Sequence, residues 1–475
     1  MPECDFTPPA YKGPSLDECL EIRKANLFPG LVTFYKKPVL IHQGHKQWLF
    51  DHTGKRYLDF FAGIVTVSLG HAHEATTKAL KDQADVLWHT TSIYPHPQIH
   101  QYAKELTDRM PGNLKVCMFF SSGTEANDLA VYLSRIHTGA YDVISLRNGY
   151  HGAGGTPWGL TATSVYRHVT PTGFGIHHAM NPDVFRGPWG GQSCRDSPSQ
   201  AQRSCRCAPG ECAASDKYAD QLKDLMMHST PKRIAGFFAE PIQGVGGTVQ
   251  MPKGFLKKAA DLVRERGGLV ITDEVQTGFG RTGTHFWGFE SHGIIPDIVT
   301  MAKGMGNGYP LAALVTTPEI ASSLSKAVHF TTFGGSPLAC AVGRSVLKAM
   351  DAEKTQDNCH KVGTYLLEQL MGLQREFPTW IGDVRGKGLM VGVEMVNGQG
   401  SIEKGSGRTC SIEPIPPQIM ADIWEHTKDM GLLLGKGGVH GNVFRIKPPM
   451  CVTKQDVDFA ISVFREAIKM SLPRL

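Results

Sequence analysis

At 475 residues, 41% apolar and 20% charged, the chain has room for roughly three average domains and the composition of a globular protein with a sizeable core. A net charge of +5 with no Lys/Arg block argues against nucleic-acid binding, and no apolar run approaches the ~18 residues of a membrane span. Eleven cysteines in a chain this long do not make a disulfide scaffold; most stand singly in apolar or helical context, as in a reduced compartment.

Met1 to Gly13 is proline-rich and reads as an extended lead-in. It shows neither a signal peptide nor the Arg/Ser-rich, acid-poor stretch of a mitochondrial presequence, which suits a cytosolic protein or a mature form whose presequence has been removed. Val39 to Phe61 alternates strand-like segments about the turn Asp51-His52-Thr53-Gly54, a small antiparallel unit. Gly70-His71-Ala72-His73 resembles a metal pair, but no third nitrogen, carboxylate or thiol is near in sequence, and two such histidines are more often structural. We expect no metal.

Next come the apolar run Val116 to Phe120, the turn Ser121-Ser122-Gly123, and a helix opened near Glu125 with Ala126, Leu129, Ala130 and Leu133 on its apolar face. Such a turn offers free N–H groups and a positive dipole end to a phosphate; an ordinary capped helix has the same pattern. The strand Tyr141 to Leu146 leads to Tyr150-His151-Gly152, where an aromatic could simply cover the sheet. Between Asn181 and Asp216 the composition shifts to Gly, Pro, Ser, Arg and Cys, which reads as a surface insertion with little capacity to bury a core. Cys194, Cys205, Cys207 and Cys212 invite a zinc or disulfide reading, yet no C-x-x-C pair exists; reduced loop thiols are the favoured reading.

Ile234 to Ala239 is a buried strand that ends at Glu240. Leu269 to Thr272 is another and ends on Asp273 and Glu274. Ile298 to Thr300 is a third, running through Met301 and Ala302 to Lys303. Carboxylates and an amine thus reach the carboxyl edge of one sheet, where open α/β sheets bind ligands. A structural ion pair would account for Asp273 and Lys303 taken alone. A buried lysine also suits imine formation, and an acid beneath a pyridine nitrogen with a lysine at the carbonyl carbon is what pyridoxal phosphate requires. Gly278, Gly280 and Gly283 spell G-x-G-x-x-G, but the aromatic, glycine-broken stretch after them does not open a helix, so this is a loop and not a dinucleotide turn. From Cys340 the pattern turns helical and then returns to strands at Val384 to Glu394 and Gly431 to Ile446. There Arg445 lies in a strand before Pro448 and Pro449. No internal repeat, nucleophile elbow or P-loop is found.

The run D-E-V-Q-T-G-F-G-R-T-G with M-A-K-G downstream closely resembles the class III, pyridoxal-phosphate-dependent aminotransferases, and the resemblance extends from about Leu31 to Ala467. It implies the type I aminotransferase fold: an α/β large domain with a mostly parallel sheet, and a smaller α/β domain built from both chain ends. The expected division is 1–70 for the N-terminal part of the small domain, 71–345 for the large domain with the insertion 181–216, and 346–475 for the C-terminal small domain. The resemblance further implies that Lys303 and Asp273 are catalytic. Gly123, Thr124, Tyr150, Glu240, Gln276 and Thr332 would join them in holding pyridoxal 5'-phosphate, and Arg445 would bind the substrate carboxylate bidentately. Thr332 would reach the neighbouring subunit's phosphate, hence a homodimer or a dimer of dimers. Val245 stands where relatives acting on ω-amines carry a glutamate that masks the arginine, which argues against an ornithine- or GABA-type switch. The 181–216 tract resembles the mitochondrial branch that uses alanine with glyoxylate or pyruvate, and also 3-aminoisobutyrate, β-alanine or methylated arginines.

Competing readings are an ω-amino acid–pyruvate aminotransferase or amine phospho-lyase of the same family, and an inactive metabolite-binding protein on this fold. A nicotinamide dehydrogenase would rest on the glycine motif alone. A binding protein would be expected to have lost the lysine or the acid, and Asp273, Gln276 and Lys303 are all present.

Overall fold

The computed structural model describes residues 1–472 except Thr170, Pro209 and Ala327. Near the amino terminus lie β1 (Ile41–His45), β2 (Trp48–Asp51) and β3 (Arg56–Asp59). The central strands are β4 (Val116–Phe120), β5 (Val143–Leu146), β6 (Ile176–Ala179) and β7 (Gly236–Ala239), followed by the short pair β8 (Ile242–Gln243) and β9 (Val249–Gln250). After them come β10 (Leu269–Asp273), β11 (Ile298–Met301) and β12 (Ala312–Thr316). The C-terminal strands are β13 (Ile381–Lys387), β14 (Met390–Met395), β15 (Leu432–Leu433), β16 (Gly435–Gly437) and β17 (Val443–Ile446).

The large sheet has the order β4-β12-β11-β10-β7-β5-β6. Only β12 runs against its neighbours, so β4, β5, β6, β7, β10 and β11 all point one way. Strands β5, β7, β10 and β11 are buried along their whole length, which is why they are short and apolar instead of alternating. Helices cover the faces. Phe255–Glu265 shows the logic: Phe255, Leu256, Ala259, Ala260 and Val263 form one stripe and are all buried, while Lys257, Lys258 and Asp261 face outward.

The expected antiparallel unit at the amino terminus is present, and β15 from the far end of the chain joins it, parallel to β3. A second antiparallel sheet, β13-β14-β17-β16, lies beside it under the helices Thr355–Glu376 and Lys454–Ser471. Gln47 Nε2 donates to buried Asp456 at 2.9 Å, another tie between the two chain ends. The glycine motif at 278–283 is a loop, as read from sequence: Phe279, Gly280 and Gly283 have positive φ and no helix follows directly. His71 and His73 bind different carboxylates, Asp59 at 2.8 Å and Glu353 at 2.6 Å, so each has its own structural partner.

One expectation needs correction. The 181–216 tract is not a bare surface insertion. Val184, Phe185, Cys194, Arg195, Ser199 and Ala201 are all buried, and Phe185 packs with Val396 and Cys410. The reason is polar and long-range. Arg195 Nη1 donates to Asp383 of β13 at 2.9 Å, Arg385 bridges Asp383 and Glu394 at 2.9 and 2.6 Å, and Arg186 also pairs with Glu394. A segment poor in apolar residues is thereby seated by charges that satisfy one another. All eleven cysteines are free thiols.

Candidate active site

Five strands end at one cavity. β4 is followed by Gly123 and Thr124, β5 by Tyr150, and β7 by Glu240; β10 ends on Asp273, and β11 is followed by Lys303. The cavity measures about 170 Å³, and Asn127, His151, Gly152, Val275, Gln276 and Ala302 complete its lining. Asp273 pairs with Thr300 across β10 and β11, so the carboxylate and the lysine that follows β11 arrive side by side.

The sixteen-residue helix Gly123–Thr138 begins at the cavity wall. Ser122 caps it by accepting from Glu125 N–H at 3.3 Å, and the Glu125 carboxylate accepts in return from Ser121 N–H at 3.1 Å. The N–H groups of Gly123 and Thr124 find no acceptor among the described residues. That is an anion site by construction. The opposing Gly152 has φ +119°, and a Cβ there would lie 2.5 Å from Thr124 Oγ1, so the loop can approach only without a side chain.

Asp273 is held from behind. Its Oδ2 accepts from Asn127 Nδ2 at 2.9 Å and binds His151 Nδ1 at 2.8 Å, while Oδ1 accepts from Val275 N–H at 3.1 Å. Its neighbour Glu274 turns the other way and accepts from Thr277, Gly288 and Phe289 at 2.6 to 2.9 Å, bracing the following loop. Burial pushes the Glu274 carboxyl up to about 7. Glu240 is fully buried and accepts from Tyr150 N–H at 3.1 Å and Gly244 N–H at 2.7 Å; burial raises its pKa too.

Lys303 adopts a left-handed backbone (φ 51°), and its amine has no hydrogen-bond partner among the described residues. Burial first and the Arg445 charge second lower its pKa to about 8, against the pull of Asp273 and Glu240. Arg445 is buried in β17, 3% exposed, and lies over the Phe61 ring at 5.2 Å. Its Nε and Nη2 are buried without a partner, and burial lowers its pKa to about 10. Two orphaned guanidinium donors are costly unless an anion completes them. Gly437 gives the arginine room, because a Cβ there would lie 2.5 Å from Arg445 Cδ and 2.9 Å from the Val245 carbonyl. Position 245 is thus beside the arginine and carries no carboxylate.

The structure therefore brings Gly123, Thr124, Tyr150, Glu240, Asp273, Gln276 and Lys303 onto one cavity, with Arg445 buried nearby. Thr332 does not line it and is exposed on this single chain. Sequence reasoning passed over Asn127, His151, Val275, Tyr166 (5.0 Å edge-on from Tyr150) and Lys447. Asn127 carried a signal, a polar side chain on the inner stripe of its helix; His151 stood next to a chosen residue.

Pyridoxal phosphate fits what is present: unpaired N–H groups for a phosphate, an unpartnered amine, and an acid fixed by Asn127 and His151. Glycine at 152 leaves room where a side chain would intrude. The comparisons agree. Residues 33–468 match the family described as aminotransferase class-III. The chain is 51% identical to human mitochondrial alanine–glyoxylate aminotransferase 2, over all of this chain and 90% of that one. It is 42% identical to homolog 2 of that protein from Arabidopsis thaliana, over all of this chain and 91% of that one. Among solved structures, an ω-transaminase from Thermomicrobium roseum superposes with a TM-score of 0.84 at 29% identity, covering 97% of this chain and 100% of that one. A phospholyase from Arthrobacter in complex with phosphoethanolamine gives 0.82 at 28%, covering 96% and 100%.

Proposed function

Because the chain belongs to the class III aminotransferases and uses pyridoxal 5'-phosphate, we propose that it moves the amino group of alanine to glyoxylate or pyruvate in a ping-pong cycle. 3-Aminoisobutyrate, β-alanine and methylated arginines are further donors in this reading. The observation that carries it is the meeting of Asp273 and Lys303 on one cavity, with the unsatisfied Arg445 donors close enough for their charge to act on Lys303.

The cofactor supplies an electron sink conjugated to the amino-bearing carbon of the substrate. The helix start at Gly123 and Thr124 holds the phosphate, and Tyr150 and Val275 line the cavity to enclose the ring. Asp273, its direction set by Asn127 and His151, keeps a proton on the pyridine nitrogen; each pKa unit of that bias is worth about 1.4 kcal/mol. Gln276, which lines the cavity, would donate to the ring oxygen of the bound cofactor. Lys303 Nζ would hold the cofactor and, as a free amine, would take the proton from the substrate α-carbon. With a pKa near 8 about one amine in ten is neutral at pH 7, enough for a base that is also covalently exchanged. Arg445 takes the carboxylate of donor and acceptor in turn, which lets one pocket serve both halves of the cycle.

The site is completed by a second subunit, with Thr332 reaching the neighbour's phosphate in a homodimer or dimer of dimers. The domain division 1–70, 71–345 and 346–475 belongs to the same reading; Ala327 and residues 473–475 lie outside the described residues. The mitochondrial relatives support a mitochondrial location.

The test is the visible absorption of cofactor-loaded protein under single amino donors. Bleaching by alanine and recovery on adding glyoxylate is the expected result. A response to ornithine or phosphoethanolamine alone would keep the cofactor and reject the substrate, and no visible band at all would reject the enzyme.

A further inference from the structure

The lysine two residues beyond Arg445 is fully buried, carries an amine, and has no part in the chemistry above. Lys447 Nζ lies 3.0 Å from Gln276 Oε1 and 3.3 Å from the Gly244 carbonyl oxygen. Lys447 is 0% exposed, Gln276 is 5% exposed and lines the cavity, and a Cβ on Gly244 would lie 2.3 to 2.4 Å from the Gln276 amide atoms. The Gln276 side chain is thus pressed against the bare backbone at Gly244 and capped by the amine.

From this we propose that Lys447 is a positioning residue: it fixes which end of the Gln276 amide faces the cavity. The inference rests on the reading that Gln276 contacts the cofactor. A carbonyl can only accept, so Lys447 donates to Gly244 and, with its remaining hydrogens, to Gln276 Oε1. The Gln276 NH₂ is then the end left for the cavity. An ionised ring oxygen accepts hydrogen bonds and donates none, so this orientation is the productive one and the flipped amide is repelled. Around Lys447 stand Arg445, Lys303 and Arg281, which disfavour a further positive charge, and Glu240, which favours it. Burial and these cations push the Lys447 amine well below its ordinary value. It donates in either protonation state.

Two routes to an effect therefore have to be separated, through the amide or through charge. Lys447→Met keeps the length and apolar stem and removes the donor. It leaves no orphan on the backbone, because the Gly244 oxygen also accepts from Gly247 and Thr248 N–H at 3.4 and 3.3 Å. The readout is the pH midpoint of the visible band of cofactor-loaded protein, together with the dissociation constant of the cofactor. Loss of the oriented donor raises that midpoint by about one unit and weakens cofactor binding by about tenfold. In a Gln276→Ala background the same Lys447 substitution then changes neither quantity further, since its target is gone. An equal shift in both backgrounds would mean that Lys447 acts by charge alone, and would overturn the proposal. So would an unchanged midpoint in Lys447→Met. Absence of any visible band in the unsubstituted protein would instead strike the cofactor reading beneath it.

Discussion

The amine of Lys303 sits where its own charge is disfavoured, and that has a kinetic consequence. Attack on an aldehyde needs the neutral amine, whose fraction grows as pH rises towards about 8 and saturates above it. Capture of pyridoxal phosphate by the cofactor-free protein is expected to accelerate with pH through about 8 and then level; stopped-flow mixing would read it. A flat rate from one unit below to one unit above would contradict the lowered pKa. Lys303→Ala should cost at least about 10²–10⁴-fold in turnover, the usual range for a lost acid–base group. Arg445→Lys should raise KM about tenfold or more for alanine and glyoxylate alike, because a point charge cannot form the paired contact that two free guanidinium donors offer. At this scale the sequence was readable where a side chain stands at the end of its own strand. Asn127 and His151 were not, because their role exists only through Asp273, 146 and 122 residues away in the chain.

Whole elements set how closely the cavity walls approach. Gly152 meets Thr124 at a distance no Cβ tolerates, in a backbone region that L side chains rarely adopt. Gly152→Ala is therefore expected to push the helix start away and weaken cofactor binding, while far-ultraviolet circular dichroism stays unchanged; equilibrium dialysis of the cofactor measures it. The insertion carries a different kind of energy. Arg195 and Asp383 are both fully buried, and removing Arg195 strips Asp383 of its two-pronged partner, leaving it only Arg385, a cation it shares with Glu394. Arg195→Ala should cost about 3–5 kcal/mol, seen as a lower guanidinium chloride midpoint. The tract looked like surface because hydrophobic patterning cannot register burial achieved by ion pairs whose partners lie 188 residues away in the chain. The buried strands β7, β10 and β11, by contrast, announced themselves by their own side chains.

At the scale of the whole molecule, one of the open apolar regions among the described residues contains Thr332. Trp88 is 67% exposed, Ile93 77% and Phe333 68%, with Tyr94 and Phe330 also open to solvent. The two segments meet: His89 and Phe333 rings are 5.6 Å apart, and Ser92, Phe330 and Thr331 share one groove. In the dimer proposed above this patch is the face on which the second copy packs, and that copy would present Thr332 to a site that lacks it. Complementation tests this without relying on contacts alone. A chain carrying Lys303→Ala has an intact Thr332 to lend, and a chain carrying Thr332→Ala keeps its own lysine. Each variant alone forms defective sites only: the first has no amine, and the second has a phosphate held by one chain instead of two. Mixed after unfolding and refolding together, they form hybrids with one complete site, so activity should rise to about a quarter of the unsubstituted level for random pairing of equal amounts. Activity that never exceeds the average of the two separate variants would place Thr332 in its own chain's site, or in none.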